Sequence, residues 1–315
     1  MKIRSVVTLA ALAISSMLTR VLLVVALFAG NSNAASLQPS ETPQDPLDLE
    51  VITLDSQGNP AKTVYYSYDQ LLTLPAVTVK TERDPNTNTP ATYAGIYLSD
   101  LFEAFDADAS FDVIGAKCSN GSKQYYDRNY LGRHRPILLL KFDDKPPADW
   151  PNAEHGSWLG PYCVVHESFS PAERIYGYVE QPRNASAVNS LELTHFVQSL
   201  GRFTPKESGN DPEVVKGQKI AVGGCSSCHA LGNVGGHATS TSWAALAERA
   251  VNSKDYFRKY VTDPHSMNLM SGMPPHPTFD DKTFNALEAY LKAMLSPMAA
   301  SRQNEGLLQF GHAPR

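Results

Sequence analysis

The five residues Cys225-Ser226-Ser227-Cys228-His229 constrain this chain more than any other stretch. Two thiols three residues apart, followed directly by an imidazole, have the spacing that attaches a c-type haem. Each thiol forms a thioether to a vinyl group, and the histidine is placed to bind the iron. C-x-x-C pairs also occur in thioredoxin-like redox sites and as halves of zinc sites. A thioredoxin-like site needs a βαβ setting, whereas the residues before Cys225 read as a helix. A zinc site needs two further ligands, and the other cysteines, Cys118 and Cys163, lie far upstream. The histidine after Cys228 therefore favours haem.

The flanking sequence agrees with that reading. Asp211-Pro212 predicts a helix start, with the capping residue followed by proline at the first helical position. Val214, Val215 and Ile220 give this helix an apolar side, and Gly223-Gly224 ends it. Ser253 is placed to cap a second helix carrying Tyr256, Phe257, Tyr260 and Val261, which stops before Pro264. Asp280 or Asp281 can cap a last helix, in which Phe284, Leu287, Leu291 and Met294 fall on one face. Between these helices the stretch from His265 to Pro277 is stiffened by prolines and predicted to be an irregular loop. Met273 in that loop is the expected sixth ligand, because a thioether favours reduced iron. Met267 and Met270 are competing thioethers. His265, His276 and His237 are competing imidazoles, which would give a lower-potential bis-histidine haem.

Together these features resemble a class I cytochrome c domain over residues 210–297. The resemblance rests on Cys225 to His229 after a helix, on Gly272-Met273-Pro274, and on Tyr290-Leu291 in the last helix. Gly217 stands where that family's first and last helices cross closely. The resemblance implies one covalent haem c, attached outside the cytoplasm of a bacterium, and a redox partner protein.

The chain begins with Lys2, Arg4 and apolar runs that lead to Ser32-Asn33-Ala34. This predicts a secretory signal over 1–34, with Met1 or Met17 as its start. Export to the periplasm or beyond is the expectation. The apolar run is short for a membrane span, and no later segment is apolar enough, so no stable span is expected after cleavage. Cleavage removes Lys2, Arg4 and Arg20 and no acid, so the net charge of −5 becomes more negative. Such a chain is not expected to bind nucleic acid.

The mature length favours two domains. The expected division is a flexible leader over 35–47, a first domain over 48–200, a linker over 201–210, the cytochrome part over 211–298 and a tail over 299–315. The fold class is multidomain: a sheet-rich α+β domain followed by an all-α class I cytochrome c domain. Strands are predicted at 49–54, 63–66, 76–80, 111–116, 137–142, 162–166 and 174–179, with short helices at 68–72 and 99–105. Asn120-Gly121 predicts a hairpin turn. Residues 191–200 read as an amphipathic stretch leading to the linker.

The segment Tyr93-Ala94-Gly95-Ile96-Tyr97-Leu98-Ser99-Asp100-Leu101-Phe102 resembles part of the sulfite-oxidase-type molybdopterin-binding fold. Val113 to Tyr126, Ile137 to Leu140 and Gly160-Pro161-Tyr162 extend the resemblance over residues 48–180. The family's molybdenum-binding cysteine would precede this segment, but residues 81–92 contain none. A related domain without the molybdenum cofactor is therefore expected. In an oxidising compartment Cys118 and Cys163 are expected to form a disulfide. His155, Trp158, His166 and Glu167 read as packing or surface groups rather than a site.

Two functions follow as expectations. One is an exported monohaem carrier of single electrons. The other is an oxidoreductase whose first domain oxidises a small substrate and reduces the haem, a reading that the missing cysteine disfavours.

Overall fold

The computed structural model describes residues 37–153, 158–206 and 210–309, with side chains up to 295. The expected signal segment, His155, Ser208 and Gly209 lie outside the described residues. The architecture is a sheet-rich region followed by a helical one, as expected.

The sheet is built from β1 (Leu49–Leu54), β2 (Pro60–Tyr66), β3 (Val77–Thr81), β4 (Ala91–Tyr97), β5 (Val113–Cys118), β6 (Lys123–Asp127), β7 (Pro136–Phe142), β8 (Tyr162–His166) and β11 (Ala185–Thr194). Its order is β2-β1-β11-β8-β7-β4-β3, and β5 pairs with both β11 and β6. All pairs are antiparallel except β1 with β11, where Val51 lies opposite Leu191. A short hairpin, β9 (Arg174–Ile175) and β10 (Tyr178–Val179), stands apart. Three short helices, α1 (Tyr68–Leu71), α2 (Leu101–Ala104) and α3 (Arg128–His134), connect the strands.

Strands β7 and β8 are buried on both faces, and each carries an apolar run, Ile137 to Leu140 and Tyr162 to Val165. Along β7, Leu138 and Leu140 point into a core with Leu71, Leu101, Tyr130 and Tyr162. Ile137 and Leu139 point the other way, with Tyr93, Trp150, Leu159 and Cys163. The close packing of β4 on β7 requires Gly95, where a Cβ would fall 2.2 Å from the Leu138 carbonyl oxygen.

The helical region contains α4 (Pro212–Gly224), α5 (Trp243–Asn252), α6 (Lys254–Thr262) and α7 (Asp281–Gln309). Asp211 caps α4 by accepting from the Glu213 amide, and Pro212 begins it. Ser242 caps α5 at Ala245. Helices α4 and α7 cross at Gly217, where a Cβ would lie 2.0 Å from the Ala286 oxygen. No described helix is long and apolar enough to cross a membrane.

Four expectations need correction. The leader is tied down from residue 37: Leu37 packs on the sheet core, and Ser40 exchanges backbone hydrogen bonds with Tyr65 at 2.9 and 2.8 Å. The start of the expected linker is a 3-10 turn, Leu200–Phe203, whose ends are buried in the helical core, and the Tyr290 hydroxyl donates to the Phe203 carbonyl at 2.8 Å. The backbone expected as a tail from 299 continues α7 to Gln309. Finally, Cys118 and Cys163 are free, buried thiols. Cys118 lies opposite Val188 on one edge of β11, while Tyr162 lies opposite Val188 on the other. Two strand spacings of about 4.8 Å separate them, beyond the reach of a disulfide. The side chains also belong to different cores, one on each face of the sheet.

The helical core is not closed by helices alone. Val113, Tyr125 and Tyr178 from the sheet-rich region are part of it. Residues from Leu37 onward accordingly form one compact unit.

Candidate haem-binding site

Helix α4 delivers the cysteine pair. The Cys225 amide donates to the Ala221 carbonyl at 2.8 Å and closes the helix. One further turn follows: the Cys228 and His229 amides both donate to the Cys225 carbonyl, at 3.2 and 3.0 Å. Both thiols are free and half-buried. Burial pushes the Cys225 thiol up to about 12.

His229 Nδ1 lies 2.7 Å from the Thr241 carbonyl oxygen. A carbonyl only accepts, so Nδ1 carries the proton and Nε2 keeps its lone pair. Burial lowers the affinity of the ring for a second proton. The neutral ring thus presents the nitrogen lone pair that an iron ligand requires.

The sequence candidates for the opposite ligand separate by position. Met273 is half-buried and packs against the helical core, and its amide donates to Ser271 Oγ at 3.3 Å. Ser271 is in turn 3.0 Å from the Tyr260 hydroxyl. Met270 is 90% exposed at a turn, beside Leu269. His265 and His237 are exposed, and Met267 is half-buried. His276 stacks on Phe279 with ring centroids 4.7 Å apart, and its ring lies 3.9 Å from where a Cβ on Gly224 would be. Its ring thus lies beside the end of the helix that carries the cysteines.

These residues fit a haem. The two thiols sit at i and i+3 of one turn, the histidine is neutral and oriented, and a thioether packs on the same core. Thr241 is the contributor that sequence reasoning missed, because its backbone carbonyl carries no residue-type signal.

The sheet-rich region was expected to lack a metal ligand between β3 and β4. That loop is organised around Asp84, which is 1% exposed. Its carboxylate accepts from the Asn86 and Thr87 amides at 2.9 and 2.7 Å and from the Tyr93 hydroxyl at 2.5 Å. Cys163, on β8, belongs to the same core cluster as Tyr93. It lies 3.1 Å from the Leu159 carbonyl, and burial raises it to about 12. His166, on the same strand, lies 2.8 Å from Asn184 Oδ1 and 3.0 Å from the Tyr130 hydroxyl. Among the described residues no group of three His, Cys, Asp or Glu could hold a metal ion.

Comparison with known proteins bears first on the helical region. Residues 212–291 match the family model of the cbb3-type cytochrome c oxidase subunit III. This stretch is a cytochrome c domain. No curated protein matches the chain. Among solved structures it is similar to the sulfane dehydrogenase SoxCD from Paracoccus pantotrophus, at 11% identity and a TM-score of 0.30. That likeness covers 49% of this chain and 40% of the SoxCD chain, so the protein spans well under half of that structure's length.

Proposed function

We propose that the chain is an exported, monohaem c-type cytochrome that passes single electrons to or from a redox partner protein. Cys225 and Cys228 tether the haem, His229 binds the iron, and Met273 supplies the opposite ligand. When bound, the haem supplies a one-electron iron couple. The protein's part is to fix the ligands and limit water around them.

The observation that carries this reading is the His229–Thr241 hydrogen bond at the end of the cysteine turn. It sets the tautomer that leaves Nε2 available, on the residue that directly follows Cys228. The cytochrome c family match over 212–291 supports it. The sheet-rich region is read as free of molybdenum, because residues 81–92 hold no cysteine and the Asp84 carboxylate there is taken up by its own loop.

The test is spectroscopic. The exported protein carries haem that survives denaturing electrophoresis, and Cys225→Ser with Cys228→Ser abolishes it. Met273→Ala removes the sulfur-to-iron charge-transfer band at the red end of the oxidised spectrum, while His276→Ala retains it. Retention of the band in Met273→Ala, or its loss only in Met267→Ala or Met270→Ala, would overturn the ligand choice.

A further inference from the structure

The loop that follows the cysteine turn is bound to the sheet-rich region. The Lys123 amide, on β6, donates to the Ser227 carbonyl at 2.9 Å, between the two cysteines. The Gly235 amide donates to the Tyr125 hydroxyl at 3.2 Å. The His237 amide donates to the Gly121 carbonyl, at the β5–β6 turn, at 2.7 Å. Asn233 Nδ2 donates to the Gly58 carbonyl, at the β1–β2 turn, at 3.1 Å. Two hairpins therefore hold residues 227–237 from one side.

The packing leaves no slack there. A Cβ on Gly236 would lie 1.7 Å from the Ser227 oxygen and 2.8 Å from the Lys123 nitrogen. A Cβ on Gly121 would lie 2.7 Å from the His237 oxygen. Gly235, at φ +90°, packs on the carbonyls of Ser226 and His229, where a Cβ would meet them at 2.9 and 3.0 Å. The Tyr125 hydroxyl thus acts on His229 through one glycine. Tyr125 is 4% exposed and lies in the helical core itself. Behind Lys123, its ammonium pairs with the buried Glu192 carboxylate at 2.8 Å, which fixes β6 to the central strand β11.

We propose that the sheet-rich region is a working wall of the haem-binding site. In this arrangement the β5–β6 hairpin clamps the attachment loop, Tyr125 positions the backbone around His229, and water is kept from that side. This gives the larger half of the chain a role that needs no cofactor or substrate of its own. The proposal rests on the haem reading above.

The experiment follows amide exchange and haem midpoint potential in the full-length, haem-loaded protein. Tyr125→Phe deletes the acceptor for Gly235 and keeps the ring. Tyr65→Phe is the control, since its hydroxyl donates to Glu50 on the sheet, away from the helices. The wild-type Gly235 and Gly236 amides exchange as slowly as the interior of α4. Tyr125→Phe speeds Gly235 exchange about fivefold or more, the effect of losing one hydrogen bond. It also lowers the midpoint, because water admitted near the site stabilises the oxidised iron. Tyr65→Phe does neither. Exchange of the wild-type glycines at open-loop rates overturns the proposal without any variant. So does a Tyr125→Phe protein indistinguishable from Tyr65→Phe, or one with faster exchange but an unchanged midpoint. Absence of covalent haem from the wild type refutes the haem reading instead, and the exchange arm is independent of it.

Discussion

The crossing of α4 and α7 gives the sharpest stability prediction. Gly217→Ala places a methyl 2.0 Å from the Ala286 oxygen, 2.6 Å from the Ala286 carbonyl carbon and 2.7 Å from Tyr290 Cβ. Two of these are backbone atoms of the facing helix, so no side chain can rotate away. The helices must separate by about 1 Å, and overpacking of this kind costs about 3 kcal/mol. Alanine's better helix propensity returns about 1 kcal/mol. The net loss of about 2 kcal/mol lowers the melting temperature by roughly 4–8 °C. Gly132→Ala is the matched control. It is also a helical glycine, in α3, but a Cβ there meets nothing within 4 Å. It should leave stability unchanged or raise it by up to about 1 kcal/mol. Circular dichroism melting of the haem-loaded protein checks both. A Gly217→Ala protein that melts at or above the wild type would refute the close-crossing argument.

Other predictions follow from the buried groups. With haem attached through Cys225 and Cys228, thiol titration should find none reactive in the native protein and two in denaturant, Cys118 and Cys163; zero in denaturant would reinstate a disulfide. His166 is held neutral by burial, with its pKa at about 4 against the usual 6.5. The unfolded chain therefore takes up the proton first as the pH falls. Stability should be full above about pH 6.5 and decline toward pH 4, by up to about 3 kcal/mol. Urea midpoints measured across that range should show the slope, and His166→Gln should flatten it.

The sequence was most legible where local chemistry decides structure. Asp211-Pro212 marks the start of α4, because capping acts within a few residues, and Gly223-Gly224 are its last two residues. The runs at 49–54 and 162–166 have the bounds of β1 and β8, since each is apolar and closed by turn residues. The longest strand was missed. In β11, Leu191 and Leu193 alternate with Ser190, Glu192 and Thr194, all buried. That pattern looks half-exposed until Lys123, 69 residues earlier, neutralises Glu192. Helix α5 did carry a signal, with Ser242 before Trp243, Leu246, Ala247 and Ala250 at helical spacing. The disulfide expectation failed because sequence alone does not say which face of a sheet a cysteine occupies. At the site, the thiols, histidine and methionine could be read as residue types. The Thr241 carbonyl could not, because a backbone oxygen carries no residue-type signal, and neither could the Tyr125 hydroxyl, whose donor Gly235 lies 110 residues away.

The parallel pairing of β1 with β11 has a consequence for how the molecule is put together. Glu50 meets Ser190 across 140 residues, so the sheet cannot close until both ends of that span have met. Contacts of such long range form slowly. The cysteine turn lies further along the chain, and its backbone is hydrogen-bonded to the β5–β6 hairpin. In the folded protein the Lys123 amide holds the Ser227 carbonyl, between the two cysteines, at 2.9 Å. Attachment of a haem to Cys225 and Cys228 is therefore expected to precede that contact, which makes the hairpin a seal on a site already loaded.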